Sequence, residues 1–175
     1  MTRGNARELA VHLIYGRVFT GEEPEQVVST RLNKEYYGQL SAENDIYAER
    51  PSKAQLRYID SVVAGVANRE EELNGTIQKF SIGWDVSRIS RLTRCIMQLA
   101  IFEILFQEDV PTGVAISEAV RLAKKYDSSE TGAFVNGILG SFARSLTAPA
   151  EEAPAEEAAP AEEAPEAAEA PAEEA

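Results

Sequence analysis

An all-helical bundle followed by an acidic tail is the architecture this sequence predicts, and three observations predict it. Apolar residues recur at three-and-four spacing along most of residues 1–146, strand-like alternation is almost absent, and the stretch from Glu151 onward is a low-complexity Glu/Ala/Pro run. That run has nothing to bury, and its prolines interrupt any long helix, so 147–175 is expected to be a disordered tail behind one folded body, 1–146. About seven helices are expected in the body.

The first helix spans Arg3 to Phe19, with Ala6, Leu9, Ala10, Leu13 and Val18 as its stripe and Gly21 as its stop. Pro24 suits the first turn of a second helix, PEQVVSTRLNKEYY. Residues 41–50 are polar and read as a loop. Ser52 and Gln55 then form a capping box for a helix carrying Leu56, Ile59, Val63, Val66 and Leu73, which Asn74-Gly75 is expected to end. RLTRCIMQLAIFEILFQ is apolar nearly all round, as the central helix of a bundle would be. ISEAVRLAKKY and ETGAFVNGILGSF supply the last two helices. Short connections make sequential neighbours antiparallel.

The formal charge of −12 belongs mostly to the tail. Ten of the 29 acidic residues lie beyond Ala150, leaving 19 against 17 basic residues in the body, which can still present a basic patch to nucleic acid. The single cysteine, Cys95, allows no internal disulfide and reads as a small core residue. No apolar run approaches membrane-span length, and Glu8 and His12 interrupt the N-terminal apolar stretch, so it reads as a helix and a cytoplasmic location is expected. His12 has no second His or Cys to complete a metal site, Ser52 and Ser87 are explained as caps, and Glu70-Glu71-Glu72 reads as a solvated charge run. With no nucleophile, base or cofactor constellation, the chain is not expected to be an enzyme, and no cofactor or metal is expected.

Three features call for more than packing. Arg3 and Arg7 lie one turn apart at a helix N-terminus, where the macrodipole favours acids, and together they form a phosphate-ready pair. Glu103 sits in the most apolar helix and needs a partner if buried, with Arg7, Arg17 and Lys124 as candidates. Asn136-Gly137 interrupts a good stripe of Phe134, Val135, Ile138, Leu139 and Phe142. Either this helix crosses the first one closely at Gly137, or Asn136 makes a contact with a ligand.

Four stretches in register, ARELAVHLIY, IGWDVSRISRLTRCIMQLAIFEIL, DVPTGVAISEAVRLAKKY and FVNGILG, resemble the NusB transcription antitermination factor family over essentially the whole body. The resemblance implies two three-helix subdomains and a binding protein rather than an enzyme. It implies that the chain pairs with a ribosomal small-subunit protein, NusE, binds boxA-type nascent RNA, chiefly in ribosomal RNA leaders, and joins elongating RNA polymerase to suppress termination. By matched position, Arg3, Arg7, Tyr15, Phe134 and Asn136 are the RNA-binding candidates. The helix before Pro111 and the segment preceding it, with Phe80, Trp84, Arg88 and Arg94, would form the protein-partner surface. The chain departs from the family pattern at Gly4 and Asn5, where some relatives carry arginines, at Gln98 in place of an arginine, and at Ser117 in place of an asparagine. Fewer arginines imply fewer phosphate contacts and a shallower salt dependence. Two alternatives stand beside this reading: a protein–protein adaptor whose RNA surface has decayed, and an RNA-binding module related to ribosomal RNA cytosine methyltransferases.

Overall fold

The computed structural model describes residues 1–41, 44–83 and 89–147. Among them are eight α-helices, one short 3-10 turn and no strand. In chain order the helices are α1 (Arg3–Thr20), α2 (Pro24–Arg31), α3 (Lys34–Leu40), α4 (Lys53–Asn68), α5 (Glu70–Phe80), α6 (Arg91–Phe106), α7 (Thr112–Tyr126) and α8 (Ser129–Thr147), with the 3-10 turn at Asp45–Tyr47. No helix among the described residues is long and apolar enough to cross a membrane.

Local signals set several boundaries as expected. Thr2 caps α1 by accepting from the Asn5 N–H (3.0 Å), and Gly21 ends it at a left-handed φ of 66° with its N–H on the Arg17 carbonyl. Ser52 and Gln55 form the reciprocal capping box of α4. Other boundaries differ from the sequence reading. The stretch 24–37 is two helices, because Leu32 ends the first and the Asn33 side chain caps the second by accepting from Glu35 N–H. The expected loop at 41–50 contains the 3-10 turn, capped by Asn44. The long helix after Ser52 breaks at Arg69, and Glu70, Glu71 and Glu72 form the first turn of α5, where negative charge meets the positive end of the helix dipole. Asn74-Gly75 ends nothing. Instead, the Asn74 side-chain oxygen accepts from Gln98 Nε2 (2.9 Å), a partly buried polar link from α5 to α6.

α1, α2 and α4 pack on one another, α5, α7 and α8 pack around α6, and α6 also reaches α1 and α4. The core accordingly runs through α6, where every position from Thr93 to Glu103 except Arg94 is buried. Cys95 lies in that core, and burial pushes its thiol up to about 12, which leaves it protonated and inert at neutral pH. α4 meets α6 at Gly65, where an added Cβ would stand 2.1 Å from the Phe102 ring. Gly137 is the opposite case: its position is exposed, and an added Cβ would meet nothing within 4 Å. The expected close crossing of the last helix over the first is therefore corrected. α8 runs unbroken through Asn136-Gly137 and buries Phe134, Val135, Ile138, Leu139 and Phe142 against α5, α6 and α7.

Candidate nucleic-acid interface

The N-terminal turns of α1 place two arginines in different surroundings. Arg3 extends into solvent, with its side chain 70% exposed, and Nη2 donates to Oδ2 of Asp109 in the α6–α7 turn (2.5 Å). Arg7, one turn on, is buried. Its Nε donates to both carboxylate oxygens of Glu103 (3.0 and 2.9 Å), and Nη2 donates to Oε1 (2.8 Å). The Tyr58 hydroxyl on α4 donates to the same Oε1 (2.9 Å). Of the three candidate partners of Glu103, the structure selects Arg7. Burial works to lower the Arg7 pKa, but the hydrogen bonds and charge of Glu103 outweigh it and hold it above the ordinary arginine value. Burial, reinforced by Glu103, raises that of Tyr58, which stays a donor.

Next along α1, Glu8 is also buried but faces α7. It accepts from Lys125 Nζ and the Tyr126 hydroxyl (both 2.5 Å on Oε1) and more distantly from Arg121 (3.4 Å on Oε2). Burial works to raise the Glu8 pKa, but the hydrogen bonds from Lys125 and Tyr126 outweigh it and leave it below the ordinary 4.5. Glu118 joins the two clusters, 3.6 Å from Arg7 Nη1 and 3.1 Å from Arg121 Nη2.

The network continues to His12. Its Nε2 lies 2.6 Å from the Tyr126 hydroxyl, and its Nδ1 lies 3.2 Å from the Tyr47 hydroxyl. Tyr126 gives its one proton to Glu8, so Nε2 carries the imidazole proton and Nδ1 accepts from Tyr47. Burial holds the His12 pKa below 6.5, consistent with that neutral tautomer. The sequence reading did not anticipate this chain of contacts through Glu8, His12 and Tyr126. The visible signal was two adjacent opposite charges, Arg7-Glu8, within an otherwise apolar stripe.

Arg3, Arg7, Ser52, Gln55, Tyr58 and Asp109 line a half-open groove of about 390 Å³ between the N-termini of α1 and α4. The remaining candidates lie elsewhere. Tyr15 is twelve residues along α1 from Arg3, about 18 Å at 1.5 Å per residue, and sits edge-on to Phe19 with ring centroids 5.0 Å apart. On α8, Phe134 is buried and Asn136 exposed. Phe80 closes the end of α5 with its ring edge-on to Phe142 (5.7 Å), and Arg94 is half-buried on α6. Trp84, Arg88 and the Ser87 cap lie outside the described residues.

The NusB family model matches residues 4–144. A transcription antitermination protein NusB from Acetivibrio thermocellus is 41% identical over 140 residues, covering 80% of this chain and 87% of its own length. Among solved structures, T. maritima NusB superposes with a TM-score of 0.66 at 26% identity, covering 82% of this chain and 92% of that one. A structure of antitermination factors NusB and NusE in complex with double-stranded RNA shares the fold, with a TM-score of 0.63 at 23% identity over 82% of this chain and 96% of that one. A match spanning every helix from α1 to α8, together with this level of identity, identifies the chain as a member of the NusB family.

Proposed function

We propose that this chain is a transcription antitermination factor that binds boxA-type RNA together with the ribosomal protein NusE and acts on elongating RNA polymerase in the cytoplasm. The observation that carries this reading is the 41% identity over 140 residues to a transcription antitermination protein. The NusB–NusE–RNA structure of the same fold supports the choice of partners. The exposed Arg3 at the groove mouth supplies a cation free to turn from Asp109 to a phosphate, since an exposed ion pair is worth about 1 kcal/mol or less. Arg7 supports the RNA surface from beneath, by fixing the groove wall through Glu103 and Tyr58. Tyr15 and Asn136 extend the RNA surface, the sequence-expected Phe134 instead packs in the core beneath it, and Phe80, Trp84, Arg88 and Arg94 belong to the protein-partner face. The role of the chain is binding and assembly, without turnover of a substrate.

The test is RNA binding by the full chain with the ribosomal partner present. Arg3→Ala is expected to weaken boxA and scrambled RNA by a similar factor and to lower the salt slope by about one unit. Unchanged affinity and slope would remove Arg3 from the interface, and failure to bind any RNA with the partner present would overturn the function.

A further inference from the structure

We infer that the groove between α1 and α4 seats one unstacked guanine nucleotide, with Asp109 reading the base and Arg3 taking its phosphate. The inference rests on the RNA-binding function proposed above and adds to it a base-reading position. The groove volume of about 390 Å³ falls within the range of pockets that hold small ligands. One part of its lining is apolar, from Ala6, Val110 and the ring of Tyr58. The Tyr58 hydroxyl is already committed to Glu103, which fixes the ring as a surface for a splayed-out base.

The groove's polar lining includes a carboxylate and a guanidinium bonded to each other, with side chains 65% and 70% exposed. Such a pair opens at small cost. Once Arg3 turns to a phosphate, Asp109 needs donors, because a carboxylate only accepts. Guanine is the one RNA base with two adjacent N–H donors on its Watson–Crick edge, N1–H and the N2 amino group, matched to the two carboxylate oxygens. Adenine and cytosine place an acceptor nitrogen beside their amino group, and uracil flanks its single N–H with carbonyls. Any of these leaves Asp109 poorly paired beside phosphate, so the same carboxylate that attracts guanine disfavours the others.

The experiment measures binding of the full chain, with its ribosomal partner, to short single-stranded uridine-rich RNAs carrying one central guanine, inosine or adenine. Guanine is expected to bind about tenfold tighter than adenine, the scale of one good bidentate base contact, with inosine, which lacks the N2 amino group, in between. Asp109→Asn is expected to erase the preference while the salt-dependent part of binding remains. The substituted side chain is exposed, and circular dichroism checks that the fold is kept. Equal affinities for the three RNAs would overturn the inference while leaving RNA binding in place. Uniform tightening by Asp109→Asn would also overturn it, showing that Asp109 merely occupies Arg3. Absence of binding to every RNA would overturn the function as well.

Discussion

Glu103 on α6 and Glu8 on α1 are both buried carboxylates, but their partners differ. Glu103 is held by Arg7, itself 6% exposed, and by the hydroxyl of Tyr58. Glu8 is held by Lys125 and Arg121, which are 50% and 42% exposed, and by Tyr126. The first cluster is the more enclosed, with Glu118 at 3.6 Å as the one further charge on Arg7, so removing Glu103 leaves a buried cation with a single distant partner. The second is open on one side, and its cations can turn to water. A buried carboxylate's importance to stability therefore follows from the escape route of its partners more than from its own burial.

Glu103→Ala is expected to give the largest effect, about 3 kcal/mol of lost stability by urea denaturation, because buried Arg7 loses its carboxylate hydrogen bonds and keeps only the longer contact with Glu118 (3.6 Å). Arg7→Ala should cost a comparable amount, and the double variant less than the sum of the two. A shift of only a few tenths of a kcal/mol in either single variant would show that the cluster reaches solvent. Glu8→Ala is expected to cost less, about 1–3 kcal/mol, mostly through lost hydrogen bonds. A cost equal to that of Glu103→Ala would break the distinction between closed and open clusters.

The smallest expected effect is a pH dependence confined to the open cluster. His12 is held below its ordinary 6.5, chiefly by burial, so the unfolded chain takes up its proton more readily than the folded one. Its contribution to stability is full above about pH 6.5 and declines as pH falls through the lower folded value. Glu8, likewise lowered, contributes fully above 4.5 and is lost at more acidic pH. Urea midpoints followed from neutral pH downward should show both losses, with His12→Gln flattening the upper part and Glu8→Gln the lower. Unchanged pH profiles in both variants would show that neither group is linked to folding.

The parts of the fold legible in the sequence were those set by local chemistry: the Ser52–Gln55 box, the Gly21 stop, and the apolar stripes of α6, α8 and α1 as far as Leu13, although Val18, expected on the α1 stripe, is exposed. Tertiary contacts decided the rest. Asn74-Gly75 has the residues of a helix end, but Asn74 is engaged by Gln98 and the helix continues. Gly65 and Gly137 both sit inside helices, and nothing local distinguishes the one that admits the Phe102 ring from the one that faces open space. The break at Arg69 was signalled by Glu70-Glu71-Glu72, which a dipole argument would have placed in a first turn. For the candidate site, spacing put Arg3 and Arg7 on one face, yet only the packing of α6 shows that one is exposed and the other enclosed. Asp109 stood in the sequence only as the first residue of the stretch DVPTGVAISEAVRLAKKY, and its contact with Arg3 spans 106 positions, beyond the reach of any local pattern.

The adjacency of Arg7 and Glu8 also fixes the orientation of α1 about its own axis. Neighbouring helix positions point about 100° apart. One of these positions holds a cation that must meet Glu103, the other an anion that must meet Lys125 and Tyr126. An apolar stripe alone tolerates some rolling, because one aliphatic side chain can slide past another. Rolling α1 by a single residue would bring an acid toward Glu103 and withdraw the base, so the two residues act as a keyed shaft that admits one rotational setting. Arg3 rides on the same helix, and the key therefore also sets the direction in which its exposed guanidinium meets an incoming chain of phosphates.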